Sequence, residues 1–260
     1  MPMSPGSLCA TPSVLSNTTC VHAVPDYARF ADDLLRQFRE SPVVGNNALD
    51  VRALSCVPED SGLWLEFGVW RGSTIRHIAD YRAHHRDQPA TPIFGFDAFR
   101  GLPEKWRDDN TNAARGSFSM GGAPPTLSAR HQELIEFVPG WFNESLPPFL
   151  HRQRKPVSFL HIDCDLYSST LTVLQLLTAS NRLRPGSLVV FDEIFGYRDF
   201  RQHEMRALWE WLRQTPHLSA QVVGSSTNSI LDHPTAQTEN AAKQAAVVRL
   251  VHTSQCAHPE

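Results

Sequence analysis

The chain has 260 residues, of which 41% are hydrophobic, and this is enough to bury the core of one α/β domain. Its formal net charge of −3 gives no basic surface for nucleic acid or for an anionic membrane. The longest apolar runs are far shorter than the roughly 20 residues that cross a bilayer. We therefore expect neither nucleic acid nor a membrane as a partner.

The cysteines and the N-terminal sequence bear on the compartment. The five cysteines are scattered, and none is spaced as Cys-x-x-Cys. This pattern argues against a disulfide framework and a zinc cage, and it predicts reduced thiols in a cytoplasmic protein. Residues 1–25 lack the basic start and apolar core of a secretory signal, and their Pro, Ser and Thr content predicts a flexible arm.

Residues 26–260 alternate between helical and strand patterns, which predicts a single domain. A lead-in helix is predicted at 26–40, within an N-terminal segment 26–60. Strands are predicted at 63–69, 92–99, 135–141, 157–164, 186–194, 220–224 and 245–251, and further helices at 73–86, 168–181 and 199–214. Near-continuous apolar strands separated by helices predict a doubly wound α/β fold with a mostly parallel seven-stranded sheet and an antiparallel edge strand.

Residues 104–134 do not fit this alternation. They include the run GSFSMGGAPP at 116–125, and together they are too long for an ordinary connection between a helix and a strand. Long insertions of this kind are usually lids or binding loops. We predict a lid-like insertion here.

Glycines and an acid follow the first two predicted strands, at the ends where doubly wound sheets bind ligands. Gly68 and Gly72 can let a nucleotide-like ligand approach the backbone, and a tight strand-to-helix turn is the alternative. The full Gly-x-Gly-x-x-Gly spacing is missing, which argues against a nicotinamide oxidoreductase. Asp97 can accept both ribose hydroxyls of an adenosine, or it can cap a helix.

Four more acids lie at the ends of the fourth and fifth strands: Asp163, Asp165, Asp192 and Glu193. Carboxylates gathered at one edge repel each other and favour a bound cation or a proton. Oxygen ligands suit Mg²⁺, Mn²⁺ or Ca²⁺ better than Zn²⁺. Such a cation can lower the pKa of a substrate hydroxyl and leave a spare carboxylate as the base. The alternative is that Asp163 and Asp192 cap the helices that follow.

Two kinds of ring-bearing residue remain as candidates. His161 lies inside the fourth strand and is predicted to be a core histidine, whereas His203 is a reserve candidate for the base. Trp70 and Trp141 follow strand ends, where they either join the core or stack on a ligand ring.

Five short segments follow one another in a recognisable order. They are FGVWRG at 67–72, FGFDAFRGLP at 94–103, FVPGWFNESLP at 137–147, HIDCDLYSST at 161–170 and PGSLVVFDE at 185–193. Together they resemble the macrocin O-methyltransferase family, whose TylF-type members methylate sugar hydroxyls in antibiotic biosynthesis. The similarity runs from about residue 63 to residue 212, and it implies a class I methyltransferase fold.

The resemblance also implies a cofactor and site residues. The donor would be S-adenosylmethionine and the product S-adenosylhomocysteine. The implied donor contacts are Glu66, Gly68, Trp70, Arg71, Gly72, Ser73, Asp97 and Asp163. Mg²⁺ would be held by Asp163, Asp192 and Glu193, with Asp165 as the general base. Other members carry a base histidine where Leu166 stands here, and their acidic pair is often Asp-Asp, so Glu193 brings a longer reach.

These observations predict a Mg²⁺-assisted O-methyltransferase that acts on a hydroxyl of a small molecule, such as a sugar or another natural-product intermediate. Whether it forms a homodimer stays open. Two alternatives belong to other classes. One is a metal-independent N-methyltransferase on the same fold, and the other is a non-catalytic binding protein, since fold alone does not imply function.

Overall fold

Strands and helices alternate along the part of the chain that the computed structural model describes. That part comprises residues 20–21, 25–44, 51–58, 62–85, 91–108, 113–235, 238 and 244–255. Its strands are β1 (Cys20–Val21), β2 (Leu63–Phe67), β3 (Ile93–Asp97), β4 (Ile135–Pro139), β5 (Val157–Ile162), β6 (Leu188–Phe191), β7 (Leu218–Ser225) and β8 (Ala246–His252). Its α-helices are α1 (Tyr27–Glu40), α2 (Val51–Leu54), α3 (Ser73–His85), α4 (Ala129–Leu134), α5 (Phe142–Arg152), α6 (Tyr167–Ala179) and α7 (Glu204–Gln214).

The strands form a mixed sheet in the order β1-β7-β8-β6-β5-β2-β3-β4. The predicted α/β class and mostly parallel sheet are confirmed, and β1 adds an eighth strand to the seven that were predicted. Apart from β1 and residue 25, the predicted flexible arm lies outside the described residues. Over the ranges given above, no helix combines the length and the apolar character that a membrane crossing requires.

One compact unit comprises the described residues of Asp60–Leu183. Its four strands are parallel, in the order β5-β2-β3-β4. Every residue of β2 and β5 is buried, as expected for strands of a parallel sheet with both faces covered. Because parallel strands share a direction, their carboxyl ends lie at one edge of this unit.

Helix α5 was not predicted, because it contains Pro147 and Pro148. A proline inside a helix costs about 3 kcal/mol through its missing N–H and its ring clash. Burial opposes that cost, since α5 buries Leu146, Phe149 and Leu150, and each such side chain contributes about 1.5–3 kcal/mol. Phe149 also lies edge-on to two β3 rings, with ring centroids 4.7 and 5.0 Å apart. Packing therefore outweighs local preference in this helix.

The second compact unit comprises the described residues of Met1–Glu59 and Arg184–Glu260. Its strand β8 runs antiparallel to both β6 and β7, and β1 runs antiparallel to β7. Phe191 at the end of β6 and Ser225 at the end of β7 both lie opposite Ala246. The residues that follow β6 and the residues that precede β8 are therefore at the same edge of this unit.

The prediction that all cysteines are reduced is wrong. Cys20 and Cys56 are both buried and both disulfide-bonded. Cys164 is buried and is not part of a disulfide. Cys9 and Cys256 lie outside the described residues. Disulfide formation depends on thiols that meet in the fold, so spacing along the chain could not exclude it.

Candidate functional site

The turn that follows β2 is fastened to two neighbouring strands. The Gly68 N–H donates to the Phe96 carbonyl of β3 at 2.9 Å. The Asp163 N–H, just past β5, donates to the Phe67 carbonyl, also at 2.9 Å. Gly68 and Gly72 have left-handed backbones, with φ of +93° and +72°. We call residues 68–72 the glycine turn, and α3 begins directly after it at Ser73.

Gly68 is required by the protein itself. A Cβ at this position would lie 1.6 Å from the Asp163 carbonyl oxygen, which belongs to the backbone and cannot move aside. The alternative prediction of a tight strand-to-helix turn therefore accounts for this glycine. The backbone of Gly68 therefore packs directly against the backbone of Asp163 at the end of β5.

The substitution Gly68→Ala is expected to lower the free energy of unfolding by about 3 kcal/mol or more. A left-handed alanine costs about 1–2 kcal/mol, and overpacking adds about 1–3 kcal/mol. Gly186→Ala is the matched control, because Gly186 has φ +98° and no atom within 4 Å of a Cβ there. Urea unfolding of both variants tests this, and equal losses would contradict the clash at Gly68.

Asp97 organises the glycine turn. One carboxylate oxygen accepts the Val69 N–H at 2.9 Å and the Trp70 N–H at 2.8 Å. The other oxygen accepts the Phe99 N–H at 2.6 Å. A carboxylate has about four acceptor positions, so three are taken by backbone. The remaining capacity suits about one ligand hydroxyl, whereas the sequence alone suggested that both ribose hydroxyls bind here.

Glu66 lies inside the sheet and not at its edge. It is fully buried in β2, opposite His161 of β5, and the two side chains approach to 3.9 Å. The prediction that His161 is a core histidine is confirmed. Removing one partner of a buried acid–imidazole pair lowers the free energy of unfolding. Glu66 therefore has a structural role that does not depend on a methyl donor. Its donor contact stays a prediction.

Trp70 is the exposed aromatic residue of the glycine turn. The residue is 39% exposed and its backbone is left-handed, with φ +45°. The Arg71 guanidinium lies 4.6 Å from the Trp70 ring centroid, and the Phe118 ring lies 5.4 Å away, edge-on. Strained backbone of this kind is typical of functional sites.

Two described residues of the 104–134 insertion, Phe118 and Thr126, lie against the glycine turn and the start of α3. Besides Phe118, the insertion contributes the Thr126 carbonyl, which accepts from the Arg76 guanidinium at 3.0 Å. The same guanidinium donates to the Arg71 and Gly72 carbonyls at 2.8 and 2.9 Å. The insertion and the turn are therefore tied together through Arg76.

The N-cap position of helix α6 is occupied by Leu166. Asp163 is therefore not the N-cap residue that the helix-cap alternative predicted. Asp165 is 8% exposed and has φ +61°. It sits at the centre of a three-residue turn in which the Leu166 N–H donates to the Cys164 carbonyl at 2.6 Å. Such turns are rare and strained, which marks Asp165 as a functional candidate.

Asp192 and Glu193 follow β6 and are half-buried. Asp192 is not the N-cap of either of the next two helical segments, whose N-caps are Asp199 and His203. Asp163, which directly follows β5 in the other unit, is half-buried as well. The donor set consists of three half-buried carboxylates, and it fits a hard divalent cation.

A sequence family described as a methyltransferase domain matches residues 65–194, which is 130 of the 260 residues. The chain belongs to this methyltransferase-domain family. The match contains the glycine turn and all of the acids described above, whereas His203 lies outside it.

Two known proteins are similar to this methyltransferase domain. Demethyldecarbamoylnovobiocin O-methyltransferase of Streptomyces niveus is 27% identical over 163 residues, which are 58% of this chain and 55% of that protein. The chain thus spans about half the length of this curated relative. The solved structure of a calicheamicin methyltransferase matches with a TM-score of 0.54 at 22% identity, over 88% of this chain and 95% of that one. This second likeness concerns the fold.

Sequence reasoning missed one buried acid that lies after the matched region. Glu204, the first residue of α7, is fully buried and accepts the Glu193 N–H at 3.2 Å. The helix that contains Glu204 was predicted, but a helical pattern does not indicate which group the Glu204 side chain contacts. The reserve base His203 precedes Glu204 as the N-cap of α7 and is half-buried.

Proposed function

We propose that the protein is an S-adenosylmethionine-dependent O-methyltransferase, assisted by a divalent cation, that methylates a hydroxyl of a small natural-product intermediate. The observation that carries the proposal is the methyltransferase domain itself, in which half-buried carboxylates follow two strands, Asp163 after β5 and Asp192 and Glu193 after β6. The name of the Streptomyces niveus relative supports a hydroxyl acceptor. A TylF-type sugar acceptor, suggested by the five segments, is the finer form of this proposal.

The residues present suit both implied groups. The glycine turn, which includes Trp70 and Arg71, would hold the donor together with Ser73 and Asp97, and the donor supplies an electrophilic methyl group when bound. Asp163, Asp192 and Glu193 would hold Mg²⁺, which supplies a positive charge that favours the ionised acceptor hydroxyl.

The chain's own side chains would then orient the acceptor and move its proton. Asp165 would accept the hydroxyl proton while the oxygen–carbon bond forms and the carbon–sulfur bond breaks. The glycine turn, fixed by Asp97, would align the donor for that displacement. The 104–134 insertion, tied to the turn through Arg76, would form one wall of the acceptor site and exclude water.

Product analysis with a panel of hydroxylated acceptors, including phenols and glycosides, tests the proposal. Mass spectrometry should detect a methylated product when S-adenosylmethionine and Mg²⁺ are present. Chelation of the cation is expected to slow the reaction at least about 100-fold, because the cation contributes several kcal/mol of charge stabilisation. Asp192→Asn should show a similar loss.

The alternatives have separate signatures. Full activity in chelator and in Asp192→Asn would favour the metal-independent enzyme, with amines as the next acceptors to try. Donor binding without turnover on any acceptor class would favour the non-catalytic binding protein.

A further inference from the structure

Helix α7 begins with a carboxylate that is withdrawn from solvent. Glu204 is 0% exposed and occupies the first turn of this 11-residue helix. A buried carboxylate costs several kcal/mol unless hydrogen bonds or opposite charges stabilise it. The positive end of the helix dipole favours an acid at this position. The helix dipole explains why a carboxylate is tolerated at this position. It does not explain the direction in which the Glu204 side chain points.

The Glu204 side chain reaches back to the residues that follow β6. Its Oε2 accepts the Glu193 N–H at 3.2 Å. That N–H belongs to the peptide that joins Asp192 to Glu193, so the hydrogen bond sets the orientation of the peptide from which both side chains leave. The contact spans eleven residues along the chain and brings the start of α7 onto the acidic pair.

The two residues after Glu193 are held by a different group, a backbone carbonyl that lies just before β8. The Ile194 and Phe195 N–H groups donate to the Gln244 carbonyl at 3.1 and 3.3 Å. Gln244 is buried just before β8, at the same edge of its unit as the end of β6. Three consecutive N–H groups, from Glu193 to Phe195, are thus held by a buried side chain and a buried carbonyl.

We propose that Glu204 is a positioning residue for cation binding, which fixes the Asp192–Glu193 peptide so that both carboxylates are presented as ligands. This inference rests on the proposed cation-assisted function and assigns a role to a residue outside the matched family region. Outer residues that orient metal ligands typically change metal affinity about 10- to 100-fold when they are replaced. Glu204 would act through the backbone of the ligand segment and would not touch the cation.

Two conservative variants distinguish the effect of the length of the Glu204 side chain from the effect of its charge. Glu204→Gln keeps an acceptor oxygen at the same distance but removes the charge. Glu204→Asp keeps the charge but shortens the side chain by one methylene. Positioning through the Glu193 N–H predicts that the Gln variant binds Mn²⁺ within about threefold of wild type, while the Asp and Ala variants lose about 10- to 100-fold.

Calorimetric titration with Mn²⁺ alone, followed by S-adenosylhomocysteine, measures these effects on the full chain. The control is Glu210→Ala, which removes an acid of the same helix that pairs with Arg206 at 3.0 Å. The control and all three Glu204 variants should keep wild-type affinity for S-adenosylhomocysteine, a readout that general misfolding would not preserve. If Glu204→Ala fails to fold, the Mn²⁺ affinities of Glu204→Gln and Glu204→Asp still test the proposal.

Each outcome bears on the proposal. Wild-type Mn²⁺ affinity in Glu204→Ala or Glu204→Asp would overturn it, as would a Gln variant as weak as the Ala variant, because the charge would then be the active feature. Absence of Mn²⁺ binding by the wild type, with donor product still bound, would overturn the cation site itself and the role of Glu204 with it.

Discussion

Asp165→Asn is expected to lower the rate of methyl transfer by about 10²- to 10⁴-fold, the usual contribution of a general base. Asparagine has nearly the same shape as aspartate and tolerates the left-handed backbone found here, φ +61°. The variant should therefore fold normally and bind S-adenosylhomocysteine within about twofold of wild type, since the loss is confined to proton transfer. Single-turnover rates with a methylated-product readout measure the effect.

A second substitution at the same position tests whether the backbone strain serves function. Asp165→Gly removes the carboxylate and relieves the left-handed conformation, so it should match or exceed wild-type stability by up to about 1 kcal/mol while losing activity. Thermal unfolding reports the stability. Wild-type turnover in either variant would contradict the assignment of Asp165, and His203 would become the candidate base.

Asp97→Ala is expected to weaken the binding of S-adenosylhomocysteine by about 10- to 100-fold or more, because each hydrogen bond to a charged group contributes about 1.5–3 kcal/mol. The substitution removes the acceptor of three backbone N–H groups, two of which belong to the glycine turn. The loss should therefore combine a missing ligand contact with a less ordered turn.

Asp97→Asn is the matched control for that prediction. Its amide oxygen can still accept the Val69 and Trp70 N–H groups, but its amide nitrogen cannot accept from Phe99. An intermediate affinity is expected. Titration of a ligand analogue without the ribose hydroxyls isolates the direct contact, since Asp97→Ala should then lose less. Binding within about threefold of wild type in Asp97→Ala would refute the role of this carboxylate.

The sheet was predictable because apolar runs and their boundaries are local properties of the sequence. Strand β5, for example, was predicted at 157–164 and spans Val157–Ile162. The carboxyl ends of parallel strands meet at one edge, so the acids after β5 and β6 could be grouped before any coordinates were known. In the structure, Asp163 directly follows β5, Asp192 and Glu193 directly follow β6, and all three are half-buried.

Elements that depend on distant partners were not predictable. Strand β1 is two residues long and exists through its pairing with β7, and α5 forms although two prolines disfavour it. The disulfide-bonded state of Cys20 and Cys56 likewise depends on how the chain folds. In each case tertiary packing supplies the free energy that the local sequence lacks.

The groups that individual acidic side chains contact could not be predicted from the sequence either. Sequence places Glu66, Asp97 and Glu204 near strand ends or at a helix start, but a side chain there can face a ligand, a backbone N–H or a buried histidine. The structure shows that Glu66 faces His161, Asp97 holds the glycine turn, and Glu204 holds the Glu193 N–H. Those roles are set by backbone geometry, which composition and spacing do not encode.

Calorimetric titration of the full chain with S-adenosylhomocysteine, with Mg²⁺ present and again in excess chelator, tests the central claim most directly. The account predicts one site with a dissociation constant on the order of 1–100 µM. It also predicts a separate Mg²⁺ heat that Asp192→Asn abolishes. A folded sample that gave no heat with S-adenosylhomocysteine under either condition would contradict the assignment of a methyl donor to this domain.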